Sequence, residues 1–243
     1  MRSAITFDFH NTLIHCDEWF DLEVRELPAK VGAALSLTDN QAVTDAYRAL
    51  RRGVMEHGIE MDAVAGVVEA WRRTGVDLDD QTVQPIIDDL MRSLVPSSTV
   101  VPGATELLDD LRTWGIPIGV VSSAVHDAFL RWSLDHHGLL DAFSDVLSSA
   151  AAGYYKSRPE IYQIAYERLG ADPGASVHIG DSFSYDHLTA SRVGTGTIWL
   201  NTTGEPPPGN QPMPTAQVSS MDEVGKLLEA LLLNGQDRAS NAD

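Results

Sequence analysis

The sequence predicts an α/β protein, a doubly wound parallel sheet interrupted after its first strand by a helical insertion. Three observations carry that prediction. Beyond residue 98, short apolar runs alternate with helical stretches, the pattern of βαβ units. Between residues 17 and 98, apolar residues recur at helical spacing only. One apolar run, Ala4-Ile5-Thr6-Phe7-Asp8-Phe9, precedes that stretch and reads as a buried strand ending in polar residues.

After this strand, the insertion's helices are marked by Val43, Ala46, Tyr47 and Leu50, then Val64, Val67, Val68 and Trp71, then Val83, Ile86, Ile87 and Leu90. Roughly four helices are expected between Asp17 and Leu94. Glu106 to Trp114 reads as a helix stopped by Gly115, followed by a strand over Ile116–Val121 that runs into Ser122-Ser123. A helix from Val125 to His136 and a strand over Asp145–Ser148 come next. Pro159 opens a helix that ends at Leu169, before Gly170. Ser176–Ile179 is a strand entering Gly180-Asp181, Tyr185–Val193 a helix, and Thr197–Leu200 a strand. Residues 204–214, rich in Pro and Gly, form a loop, and Met221–Leu233 is a last amphipathic helix. The division that follows is a core of 1–16 and 99–235, an insertion of 17–98, and a polar tail of 236–243 expected to lack order.

Composition narrows the function classes. The net charge is −18, from 35 acidic and 17 basic residues, and such a surface repels phosphate backbones and anionic lipid. No nucleic-acid or membrane partner is therefore expected. Cys16 is the single cysteine, which excludes a disulfide framework, a cysteine zinc site and a CxxC redox pair. No apolar run reaches the length of a membrane span, and Asp8 breaks the N-terminal run before it could act as a signal peptide. A soluble cytoplasmic protein is expected, and its oligomeric state, homo-oligomer included, is left open.

The chemistry sits where strands end, because ligands of open α/β sheets bind beyond the carboxyl ends of the strands. Asp8 ends the first strand, Ser122 with Ser123 the second, and Asp181 a later one. Lys156 stands just before a helix. It is one of only three lysines, with Lys30 and Lys226, so its place there is informative. These residues, far apart in sequence, are expected to converge.

The segments Phe7-Asp8-Phe9-His10-Asn11-Thr12-Leu13, Val120-Val121-Ser122-Ser123, Lys156-Ser157-Arg158-Pro159 and Gly180-Asp181-Ser182-Phe183-Ser184-Tyr185-Asp186 occur in that order. In this the chain, from Ile5 to about Asn201, resembles the haloacid dehalogenase-like (HAD) hydrolases, in the branch with a helical cap of C1 type. The resemblance implies a Rossmann-like core with residues 17–98 as the cap. It implies Asp8 as a nucleophile that becomes an aspartyl-phosphate. It also implies Mg²⁺ held by Asp8, the main-chain carbonyl of His10 and Asp181, with Asp186 in support. These are the hard oxygen ligands that this ion requires. Ser122, Ser123 and Lys156 would bind the phosphoryl oxygens.

The departure is His10, where phosphatases of the family usually carry a second aspartate. A neutral imidazole can take a proton from water but is a poor acid, and the alternative is a histidine packed beside the site with no part in proton transfer. A Mg²⁺-dependent phosphatase acting on a small phosphorylated metabolite is the expected function. Haloacid dehalogenase-like or phosphonatase-like cleavage of a C–X or C–P bond, or an idle ligand-binding member, are the alternatives. Several other features read as ordinary structure. Arg51-Arg52 and Arg72-Arg73 read as a solvated helix face. Trp19, Phe20, Trp71 and Trp132 read as core, His136-His137 as surface, and Cys16 as a small packed side chain.

Overall fold

The computed structural model describes residues 2–240 of the 243. The chain opens with β1 (Ile5–Phe7) and the two-residue β2 (Ile14–His15), then enters an all-helical stretch. That stretch holds α1 (Asp17–Asp21), a π-helical turn over Leu22–Glu26, α2 (Leu27–Ala34), α3 (Asn40–His57), α4 (Ala63–Arg73) and α5 (Asp80–Leu94). The chain returns through β3 (Thr99–Val100), which pairs antiparallel with β2, so the way out and the way back lie side by side. There follow α6 (Ala104–Thr113), β4 (Ile118–Ser122), α7 (Asp127–His136), β5 (Asp145–Ser148), the single turn α8 (Ser149–Ala152), α9 (Glu160–Leu169), β6 (Val177–Gly180), β7 (Gly196–Leu200), β8 (Ala216–Val218) and α10 (Met221–Ser240).

The main sheet has six strands in the order β5-β4-β1-β6-β7-β8, and every pairing in it is parallel. Alternate residues of its strands face opposite layers, as the pleat requires. Val120 and Val146 pack in the larger core, which contains residues of α6, α7 and α10. Their neighbours Val121 and Leu147 pack in a second, smaller core with Ile161, Tyr162, Ala165 and Tyr166 of α9. Helices therefore cover both faces. β1 lies between β4 and β6, and the chain crosses over it from β5 to β6, so the switch point of the sheet falls at the end of β1.

The helical stretch is built by its own sequence signals. Asp62 and Asp79 cap α4 and α5, accepting hydrogen bonds from Ala65 N (2.8 Å) and Thr82 N (2.9 Å). The buried faces of α3, α4 and α5 carry Val43, Tyr47 and Leu50, then Val64, Val67 and Trp71, then Val83 and Ile87, as the spacing predicts. Trp19 stacks on Phe129 of α7 (4.9 Å, 8°) and meets Phe9 edge-on at 5.7 Å, sealing the helical stretch against the sheet layer.

Several expectations need correction. The stretch holds more than four helical pieces, because a π-turn and the short α1 precede α2. The helix expected over 185–193 is a π-turn (Phe183–Thr189) running into a 3₁₀ turn (Ala190–Val193). β2, β3 and β8 have no counterpart in the sequence reading, since two or three residues cannot display a period. Arg51 is not solvated: it is buried, with both terminal nitrogens on Glu60 (2.5 and 3.3 Å). Phe20 is not core but 44% exposed. His137 is half-buried and meets Ser98 Oγ at 2.9 Å. Of the tail expected over 236–243, α10 extends to Ser240, and residues 241–243 lie outside the described residues.

Candidate functional site

Asp8 is the first residue beyond β1, and its backbone N–H donates to Ile179 O (2.8 Å) on the adjacent β6. Its carboxyl is buried, with only 7% of the residue exposed. From the preceding loop to α9 comes Lys156, whose Nζ donates to Asp8 Oδ1 (2.6 Å) and to Asp186 Oδ1 (2.5 Å). Thr12, fully buried at the turn after β1, points its hydroxyl at Asp8 Oδ2 (3.4 Å). Asn11 in that turn takes a left-handed φ of 61°, which asparagine tolerates better than most residues. Asp181 follows β6 directly.

Asp8, Asp181 and Asp186 each offer an oxygen, and the three lie within 4.8 Å of one another. One ammonium among three carboxylates leaves their charge unbalanced. Burial, reinforced by Asp186 against the pull of Lys156, lifts the Asp8 carboxyl to about 6. Burial together with Asp8 and Asp186 lifts Asp181 to about 8. Burial works the same way on Asp186, but Lys156 and His178 overcome it and hold that carboxyl well below the ordinary range. Lys156, although buried, is kept charged by Asp186 and Asp8. A compact set of hard oxygen donors carrying surplus negative charge fits a small divalent cation such as Mg²⁺.

Asp186 is held from four sides. Ser182 N donates to its Oδ2 (2.9 Å), and Lys156, His178 and the Tyr162 hydroxyl (3.5 Å) approach its Oδ1. His178 is fully buried, and burial lowers its pKa, so it is neutral. A carboxylate can only accept, so His178 Nε2 carries the hydrogen toward Asp186 (3.2 Å), and Nδ1 accepts from Thr6 Oγ1 (2.9 Å). Gly180 makes room for this carboxylate. A Cβ there would lie 2.3 Å from Asp186 Cγ.

The same cleft, about 320 Å³ in volume, brings together all seven expected residues: Asp8, His10, Ser122, Ser123, Lys156, Asp181 and Asp186. Ser122 is buried at the end of β4, and Ser123 Oγ is buried with no hydrogen-bond partner. Such a hydroxyl is free to meet a ligand. The His10 ring stacks on Phe20 (5.5 Å, 2°) and meets Trp19 edge-on (5.6 Å). Its Nε2 is buried and unpartnered, with Asp17 Oδ1 at 3.8 Å. Burial depresses its pKa, Asp17 works in the other direction, and a neutral imidazole results.

Sequence reasoning missed Thr12, Gly180, His178 and Tyr162, and the Trp19, Phe20, Met55, Tyr155 and Tyr185 side chains of the cleft wall. Thr12 and Gly180 lay inside recognised segments, where a hydroxyl four residues from Asp8 and a glycine before Asp181 were signals available to use. Nothing in the sequence pointed to His178, Tyr162 or Met55.

Comparison with known proteins places these observations. A family model for haloacid dehalogenase-like hydrolases matches residues 3–194. The chain is 31% identical to the bovine (Bos taurus) haloacid dehalogenase-like hydrolase domain-containing protein 3 over 202 residues, 78% of each chain. It is 27% identical to the (S)-2-haloacid dehalogenase of Pseudomonas sp. strain YL, covering 92% of this chain and 90% of the relative. It is also 27% identical to the glyceraldehyde 3-phosphate phosphatase of Methanothermobacter thermautotrophicus, covering 83% and 86%. Among solved structures, a HAD phosphatase from Thermococcus onnurineus superposes with a TM-score of 0.62 at 24% identity, covering 93% of this chain and 97% of that one.

Proposed function

The chain belongs to the haloacid dehalogenase-like hydrolases, and from that membership we propose that it is a Mg²⁺-dependent phosphatase of a small phosphorylated metabolite, working through an aspartyl-phosphate on Asp8. The single observation that carries this reading is the convergence of Asp8, Asp181 and Asp186, with buried Lys156 bridging Asp8 and Asp186. A dehalogenase has no need to crowd three carboxylates, whereas a phosphatase must hold a cation beside its nucleophile.

Asp8, Asp181 and Asp186 would hold Mg²⁺, with the His10 carbonyl as a further ligand, and the bound ion would neutralise and orient the phosphoryl group. The helices over 17–98 are then the cap over the cleft. Ser122, Ser123 and Lys156 bind the phosphoryl oxygens, Lys156 placing charge where it accumulates. A carboxylate oxygen of Asp8 attacks phosphorus, the bond from phosphorus to the ester oxygen breaks, and the departing alcohol oxygen takes up a proton from solvent water. Water then attacks the acyl-phosphate, giving its proton to the neutral His10 imidazole, and phosphate leaves with Asp8 restored.

A second reading, dehalogenation, is favoured by one observation, the absence of an acidic side chain at position 10, and by the likeness to (S)-2-haloacid dehalogenase. One experiment separates the two. Phosphate release is measured over a panel of phosphorylated metabolites, and halide release from 2-haloacids, each with Mg²⁺ and after chelation. Mg²⁺-dependent phosphate release is expected, and Asp8→Asn should lower it by at least about a thousandfold with the fold retained. Metal-independent halide release would overturn the proposal.

A further inference from the structure

The cleft divides into a charged floor and an apolar wall. The floor is Asp8, Lys156, Asp181 and Asp186, with Ser122 and Ser123 at its edge. The wall is made of Phe20 and Trp19 from α1, Met55 from α3, and Tyr155 and Tyr185 from the sheet core, with Phe20 and Met55 its exposed members. Phe20 and Met55 expose 44% and 47% of their surface, and two large apolar side chains left open at one cleft mark a surface that a ligand covers. Tyr155 and Tyr185 meet edge-on at 5.4 Å, and His10 lies flat against Phe20, so the wall is lined with ring faces and edges.

Cations tell the same story. Among the described residues lining the cleft, Lys156 is the one lysine or arginine, and both its partners are carboxylates of the floor. Arg52, exposed on α3 one turn before Met55, is not among the residues that line the cleft, and other arginines of the helical stretch are paired. Arg51 lies behind the wall, 6.0 Å from the Tyr155 ring centre, with its guanidinium engaged by Glu60. Arg72 and Arg73 both pair with Glu69, away from the cleft. A second anionic group on the substrate would lose water against this wall and find no free cation among the residues that line it. The cleft's volume of about 320 Å³, at the small end for ligand sites, suits a phosphate and one ring or short chain.

Resting on the phosphatase reading above, we propose that the substrate is a phosphomonoester of an uncharged, apolar alcohol about the size of one aromatic ring, and that Phe20 and Met55 set this specificity. Sugar bisphosphates and phosphorylated carboxylic acids are thereby disfavoured.

The test compares benzyl phosphate with 4-carboxybenzyl phosphate on the full chain with Mg²⁺, since the two share one leaving-group chemistry and differ by a single carboxylate. A kcat/KM at least about tenfold higher for benzyl phosphate is expected. Met55→Arg should narrow that preference by supplying the missing cation. Phe20→Ala should lower the ratio of benzyl to methyl phosphate turnover by about tenfold, mainly through KM. Equal or faster turnover of the carboxylated ester, with Asp8-dependent phosphate release intact, would overturn the proposed substrate class and leave the phosphatase reading standing. No Asp8-dependent release from any of the three esters, with release from other members of the metabolite panel, would also overturn the substrate class alone, whereas no release from any panel member would overturn the phosphatase reading with it.

Discussion

His10 stands two residues beyond Asp8, where its ring is pressed between Phe20 and Trp19. Those contacts give it a fixed orientation, and burial keeps it neutral. A positioned neutral imidazole accepts protons well and donates them poorly. Proton transfer by one positioned group is worth about 10²–10⁴-fold in rate. His10→Ala is therefore expected to slow hydrolysis of the aspartyl-phosphate by about a hundredfold and let it accumulate, which rapid acid quenching and intact-mass measurement would detect. His10→Asp should restore a proton donor and favour esters with poor leaving groups, such as alkyl phosphates, relative to aryl phosphates. Unchanged phosphoenzyme levels and leaving-group preference in both variants would reduce His10 to its backbone carbonyl.

At the scale of elements, the site depends on how tightly β6 and the π-turn after it fit together. Asp186 comes from that turn and folds back over Gly180, the last residue of β6. Gly180→Ala would place a methyl group 2.3 Å from Asp186 Cγ, and the carboxylate would have to move. Overpacking of this kind costs about 1–3 kcal/mol. Displacing Asp186 also removes the Ser182, His178 and Lys156 contacts together. The expected outcome is a loss of about 1–3 kcal/mol in denaturant melts together with weaker Mg²⁺ binding by calorimetry. Normal Mg²⁺ affinity in this variant would mean that Asp186 is not part of the metal site.

At the scale of the whole molecule, the helical stretch and the sheet core are joined by buried polar contacts. Ala63 N donates to Val125 O (2.8 Å), Glu60 N to Gly153 O (3.0 Å), and Tyr155 N to Gly58 O (3.0 Å). Ser149 Oγ donates to Glu60 Oε2 (2.9 Å), and Val125 N to Glu23 Oε1 (3.0 Å). Glu23 Oε2 is buried without a partner. Burial lifts the Glu23 carboxyl to about 8, against the opposing charge of Arg51 and with Glu60 adding to the rise. The folded state thus keeps this proton to about pH 8, while the unfolded chain loses it near the ordinary value of 4.5. The favourable contribution of Glu23 is then complete below pH 4.5, falls as pH rises, and is spent at about pH 8. Glu23→Gln should flatten the stability profile between those limits by an amount on the order of a few kcal/mol. Denaturant melts of parent and variant at pH 5 and pH 8 would check this, since the other raised carboxyls, Asp8 and Asp181, are common to both proteins. Parallel profiles would show that Glu23 is ionised in the folded state.

Much of this was legible in the chain because it is local. The runs around Val120-Val121 and Val146-Leu147 read as strands, and the stop at Gly170 marks a helix end, without reference to anything distant. Asp8, Ser122 and Asp181 were legible as candidate site residues because a parallel α/β sheet delivers its strand ends to one edge, and Lys156 because lysine is rare in this chain. The tertiary structure alone decided that Phe20 lines the cleft while Arg51 is buried with Glu60, because helical periodicity identifies an apolar face but not the element that meets it. It alone decided the state of the carboxylates, since the charge on Asp8, Asp181, Asp186 and Glu23 depends on burial and on neighbours distant in the chain, as Lys156 is 148 residues from Asp8. Spacing in a sequence carries direction and period, whereas desolvation and Coulomb energy depend on distance in space, which exists only once the chain has folded.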